Sequence, residues 1–104
     1  MVYLHENEVN EQYINGLNEL LGWCYDCGVK ISAIHYLLHG FQVFFKDIEG
    51  DAILHDGSYG NKRNHWETMG MPWDKDDVSV HDAYTLAHMI ESYIEGEDWE
   101  QWNN

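Results

Sequence analysis

Apolar residues in the first quarter of the chain fall at Val9, Tyr13, Leu17, Leu20, Leu21 and Cys24. Gaps of three and four keep these side chains on one side of a 3.6-residue turn, which predicts a helix over 8–27. Asn7 is a capping residue type, Glu8 and Glu11 complement the positive end of the helix dipole, and Gly28 suits the stop. Gly16 and Gly22 each cost a helix about 1 kcal/mol relative to Ala, so tertiary packing has to sustain it.

The pattern then changes. Residues 29–57, VKISAIHYLLHGFQVFFKDIEGDAILHDG, are rich in β-branched and aromatic types and are broken at His39-Gly40 and Glu49-Gly50-Asp51. They read as three short antiparallel strands at 30–38, 41–47 and 52–55. A competing reading makes 32–39 a short helix ending at Gly40, and periodicity does not separate the two over so few residues.

Helical spacing returns in DDVSVHDAYTLAHMIESYIEG, where Ala83, Leu86, Ala87, Ile90, Tyr93 and Ile94 form a stripe closed by Gly96. Ser79 and Asp82 have the spacing of a capping box before it. His81, Tyr84 and His88 fall on the opposite, polar face. The predicted fold class is α+β, a single α-β-β-β-α domain over residues 1–96. A three-stranded meander is packed by two helices, and an acidic, tryptophan-bearing tail follows at 97–104.

Composition adds one dominant fact. The 104 residues suffice for one modest core, and 14% are aromatic, which excludes an acidic disordered chain. Nineteen Asp and Glu oppose five Lys and Arg, for a net charge of −14. Such a chain repels nucleic acid and anionic membranes and attracts cations or basic partners. No apolar run approaches the roughly 20 residues that span a bilayer, and MVYLHENEVN lacks the regions of a signal peptide. With two cysteines as free thiols, a cytoplasmic location is expected.

Several constellations carry possible chemistry. Cys24 and Cys27, then His35 and His39, offer zinc-type ligands. The histidines are side by side only if 32–39 is helical; in a strand they lie roughly 13 Å apart. His55, Asp56, Ser58 and His65 suggest a hydrolase, but Ser58 lacks a nucleophile elbow and Asp56-Gly57-Ser58 reads as a turn. Asp74, Asp76 and Asp77 lack the spacing of a calcium loop and read as a solvated loop. Neither a catalytic residue nor a cofactor is expected.

Residues 57–74, GSYGNKRNHWETMGMPWD, collect the only arginine, the only proline and two tryptophans in a connection of about twenty residues, far beyond the usual four to six. Asn64 and Glu67 suggest a capping box over a short turn at 66–69, with Gly70 closing it. The segment reads either as a lid over the open face of the sheet or as a binding loop with anchors of hot-spot type.

In length, acidity and single-domain layout the chain resembles the small acidic inhibitors that phages and mobile elements direct at host defence, of the anti-CRISPR and nucleic-acid-mimic kind. No family motif is matched, so no residue role is carried over. The α-β-β-β-α order also resembles the double-stranded-RNA-binding fold, but that fold needs basic phosphate contacts. The expected function is non-enzymatic: binding a protein through its basic nucleic-acid-binding surface. Asp47, Glu49 and Asp51, Asp74, Asp76 and Asp77, and Glu91, Glu95, Glu97 and Asp98 would steer. Tyr59, Arg63, Trp66 and Trp73 would anchor. The alternative is a small zinc-binding or regulatory domain using Cys24, Cys27, His35 and His39.

Overall fold

A computed structural model describes residues 8–102. Helix α1 spans Glu11–Cys27 and begins later than its pattern suggests. Asn10 is its cap, accepting from the Gln12 amide, and the predicted cap Asn7 lies outside the described residues. Gly28 ends the helix in a left-handed conformation (φ 73°) that a Cβ would disfavour. Tyr13, Gly16, Leu20 and Cys24 form the buried face.

The sheet has five antiparallel strands in the order β1-β2-β3-β4-β5, two more than predicted. They are β1 Ile31–Leu37, β2 Gly40–Phe45, β3 Asp51–Leu54, β4 Trp66–Met69 and β5 Ser79–His81. The 32–39 stretch is therefore strand. The first three strands match the expected meander, and the last two lie where a long loop was expected. Glu67 pairs with Ile53 on one side and Val80 on the other. The proposed turn at 66–69 is thus an edgewise extension of the sheet rather than a helical turn or a lid. Ser79 likewise belongs to β5 and caps nothing.

Helix α2, Ala83–Ile94, starts from Asp82, whose carboxylate accepts from the Thr85 amide. Its buried face is Ala83, Leu86, Ala87, Met89, Ile90 and Ser92, rotated from the predicted stripe, so that Tyr93 and Ile94 are exposed. α1 packs on β2, β3 and α2. Alternation along the strands turns Phe41, Val43, Phe45, Ala52, Leu54, Trp66 and Thr68 toward the helices, where all are buried. The apolar members share one core with Leu20, Leu86 and Ile90. The tail does not trail off as far as Trp102. Trp99–Trp102 form a 3-10 turn folded back on α2, with the Trp102 indole donating to Ser92 Oγ (2.9 Å).

The other sheet face carries no helix. One rung across it runs His35, Gln42, Ile53, Glu67 and Val80; the next runs Ala33, Phe44, Asp51 and Met69. Phe44 and Ile53 are half-buried there, and Met69 and Val80 are exposed.

Candidate functional site

The meander places its turns at alternate ends of the sheet. At one end lie the β1–β2 turn and the long β3–β4 connection, which hold the serine-histidine group. Ser58 Oγ donates to the His55 carbonyl and accepts from the His55 amide, while His55 Nδ1 donates to the Asp56 carbonyl. The Asp56 carboxylate instead takes His39 Nδ1 (2.8 Å) and the Tyr13 hydroxyl (2.9 Å). Those bonds, His39 first, hold Asp56 below its ordinary range. Ser58 thus closes a turn with the His55 backbone, as its sequence reads, and the Asp56 carboxylate is taken by His39 and Tyr13 rather than by a serine-histidine pair.

Asp74 is the clearest correction among the acids. It is buried, and its carboxylate accepts from Thr68 Oγ1 (2.6 Å) and from Ser79 Oγ. Ser79 has one hydroxyl proton and spends it on Asp74, so His81 Nε2 donates to Ser79 Oγ (2.7 Å). The Trp73 indole donates to Thr68 Oγ1 (3.2 Å). This network anchors the 70–78 connection beneath β4 and β5 and withdraws Asp74 from any partner. Asp74→Ala lowers the unfolding free energy by about 2–4 kcal/mol, because the buried Thr68 hydroxyl and the half-buried Ser79 hydroxyl lose their acceptor. Asp76→Ala, in solvent, changes it by under about 0.5 kcal/mol. Urea unfolding of the two variants checks the contrast.

His81 is buried in the same network, and burial pulls its pKa below the usual 6.5, against the Asp74 and Asp82 carboxylates. Below about pH 6.5 the unfolded chain therefore binds more protons than the folded one, so stability falls with pH in that window. Between pH 7 and 5.5 the urea midpoint should fall more steeply in the wild type than in His81→Gln. Equal slopes would contradict this account.

The cysteine-histidine set of the alternative reading is not assembled. Cys24 lies in the core, where burial, then Cys27, pushes its thiol up to about 12. His35 stacks on Phe44 across β1 and β2, and His39 pairs with Asp56. Cys27 turns instead toward α2, with Sγ 3.7 Å from the His88 ring nitrogens and Glu91 beside it. Burial first, then Glu91, Asp26 and Glu95, pushes Cys27 up to about 11. Tyr84 and His88 do share a face of α2, but His81 is in β5. Trp23 and Trp102 pack around that pair, so the face is not simply polar.

The remaining acids converge at the other end of the sheet. The β2–β3 turn carries Asp47 and Glu49, both exposed, and Asp51 follows at the start of β3. The 70–78 connection carries exposed Asp76 and Asp77. The two turns touch through backbone: a Cβ on Gly50 would lie 2.5 Å from the Met71 nitrogen and 2.6 Å from the Gly70 carbonyl carbon. Trp99 packs on Trp73 (ring centroids 6.2 Å apart), which brings Glu97 and Asp98 to the same place. Asp26, in the last turn of α1, joins them through the β1 start, where the Lys46 amide bonds the Lys30 carbonyl.

Neither helix has a basic residue in its last turn. Asp26, Glu91 and Glu95 therefore oppose the negative helix ends, an arrangement unfavourable by about 0.3–1 kcal/mol each. Lys30, Lys46 and Lys75 lie on nearby turns. Among the described residues, however, the one ion pair is His39–Asp56, at the far end.

The anchors divide. Tyr59 is 67% exposed and Arg63 is exposed, whereas Trp66 is sealed in the core and Trp73 is half-buried against Trp99. Neither tryptophan expected to anchor is exposed. Tyr59 lies over the helix-free face, its amide bonded to Glu67 Oε1 (2.8 Å). Arg63 sits in a 3-10 turn, Asn61–Arg63, at the end remote from the acids, where Gln12 bonds Asn61 and Asn64. Glu91 also leaves the steering group for Cys27. Pattern reading had no signal for the convergence of the acids, which depends on strand order. No family model, curated protein or solved structure matches this chain.

Proposed function

We propose that this protein is a non-enzymatic binding protein whose acidic end docks on the basic nucleic-acid-binding surface of a partner protein, in the manner of an inhibitor. The convergence of Asp47, Glu49, Asp76, Asp77, Glu95 and Asp98 from three separate segments, without ion pairs among the described residues, carries the reading. The protein is 41 × 28 × 24 Å, and duplex DNA 28 Å long carries roughly 16 phosphates. The acids at this end, net of the three lysines, supply about a third of that charge, enough to steer association without imitating a duplex phosphate by phosphate. The adjoining helix-free face adds Tyr59, Met69 and Val80 as exposed contact area. A host-defence nuclease is the partner class that the acidity and size favour.

The test is capture from lysate of the source organism at low salt, followed by stepwise salt elution. The six acids named are changed together to their amides in a parallel bait. Recovery of a nucleic-acid-binding protein by the wild type, released by salt and lost with the amide bait, supports the proposal. Equal capture by both baits rejects it.

A further inference from the structure

The last turn of α1 and the middle of α2 bring together three side chains that the acidic-end reading does not use. Cys27 Sγ, a ring nitrogen of His88 and a Glu91 carboxylate oxygen all lie within 4.8 Å of one another, and all three residues are half-buried. From this geometry we infer a zinc site formed by Cys27, His88 and Glu91, with its fourth position open to solvent.

Three observations carry it. The first is distance. With Zn–S near 2.3 Å and Zn–N near 2.0–2.1 Å, a sulfur and a nitrogen 3.7 Å apart subtend roughly 115° at a shared ion, close to tetrahedral. The second is the tautomer. His88 Nδ1 donates to the Tyr84 carbonyl (2.8 Å), so Nε2 keeps the lone pair, the arrangement that orients ligating histidines in metalloproteins. Sγ is equidistant from the two ring nitrogens, and with Nδ1 committed to Tyr84 it is Nε2 that is left to share an ion with the sulfur. The third is spacing. His88 and Glu91 are three apart on one face of α2, so a modest carboxylate movement closes the triangle.

The ligand set selects the ion. A thiolate disfavours magnesium and calcium, a carboxylate disfavours copper(I), and a mixed sulfur, nitrogen and oxygen set suits zinc. Asp26 and Glu95 add negative potential around Cys27, which favours a dication over the apo site. The imidazole sits between Tyr84 (ring centroids 4.1 Å) and Trp102 (4.4 Å), which restrict its wandering. The ion would tie the C-terminal turn of α1 to α2 across residues 61 positions apart. The site neither requires the acidic-end reading nor supports it.

The experiment uses the full chain, purified without an affinity tag and stripped with a chelator. Zinc titration against a chromophoric competitor should show one equivalent bound. Cobalt(II) in its place should give a sulfur-to-metal charge-transfer band in the near ultraviolet. Cys27→Ser should remove that band, and Cys27→Ser and His88→Ala should each weaken zinc binding at least about tenfold, the lower bound for disturbing an outer-shell partner. The double variant His35→Ala/His39→Ala should bind as the wild type does. In the unmodified protein one equivalent of zinc should slow alkylation of Cys27, a readout that needs no substitution and no assumption about variant folding. Absence of stoichiometric zinc, a thiolate band that survives Cys27→Ser, or unprotected Cys27 would each overturn the site.

Discussion

Changing Asp47, Glu49, Asp76, Asp77, Glu95 and Asp98 together to Asn or Gln is expected to slow association with the proposed basic partner by about 10- to 100-fold at low salt. The variant keeps the shape of each side chain and takes the net charge from −14 to roughly −8. Each of the six is exposed, so none contributes a buried contact whose loss confuses the result. Asp47 has φ 67°, a conformation that Asn tolerates as readily as Asp. Fold stability should hold or rise, since repulsion at the acidic end and the unfavourable charge at the α2 C-terminus are relieved. The dissociation rate should change little, because exposed acids act mainly during encounter. Raising ionic strength from 0.01 to 0.1 M shortens the screening length from about 30 to 10 Å, and should bring the wild-type rate toward that of the variant. Stopped-flow association at the two ionic strengths measures both effects. A Glu11→Gln/Glu19→Gln control, exposed on α1, should fall within about threefold of the wild type.

Trp66→Ala is the substitution expected to damage the fold most, by about 3–5 kcal/mol. Trp66 is fully buried, at 0% exposure, and is the largest such side chain. It sits on β4, a four-residue strand with little else to hold it against the helices. The lost stabilisation combines the transfer of the indole into water with the cavity left beneath the sheet. Stability of 5–15 kcal/mol is typical of a domain, so this loss is a large part of the whole. The paired variant is more telling. Trp66 Nε1 is buried without a hydrogen-bond partner among the described residues. Trp66→Phe removes that desolvated donor, which offsets part of the lost volume, and should cost under about 2 kcal/mol. Urea unfolding of the two variants tests the pair. A loss in Trp66→Phe as large as in Trp66→Ala would mean that the indole N–H contributes in a way this packing does not explain.

Tryptophan 66 also illustrates where sequence reading stopped. As one of four residues of types suited to an interface, it reads as an anchor; the fold makes it part of the core. WETM and SVH are too short for a period-2 pattern to separate from other states, and Asn64, Glu67 and Ser79 have the spacing of helix caps that they do not form. Only pairing with β3 makes β4 a strand, and only β4 makes β5 one. The same limit explains Asp74. In sequence it is one of a run of aspartates, and nothing local distinguishes the one whose carboxylate is roofed by Thr68 and Ser79 from two that face water. Cys27, His88 and Glu91 were each visible as residues, but Cys27 was tied to the nearer His35 and His39. Strand geometry turns those histidines elsewhere, and the packing of two helices supplies a different one.

The chain by itself determined its two helices, the second and third strands, the α+β class and the strength of its negative charge, while leaving 32–39 open between strand and helix. Each of those is written in local periodicity or in composition, and needs no knowledge of what lies across the fold. Tertiary structure alone decided that the sheet has five strands, that Trp66 and Asp74 face inward, and that acids far apart in sequence share one end. Those outcomes depend on which edges pair and on which turns an antiparallel meander sends to the same side. They are set by contacts between distant residues, to which local pattern is blind.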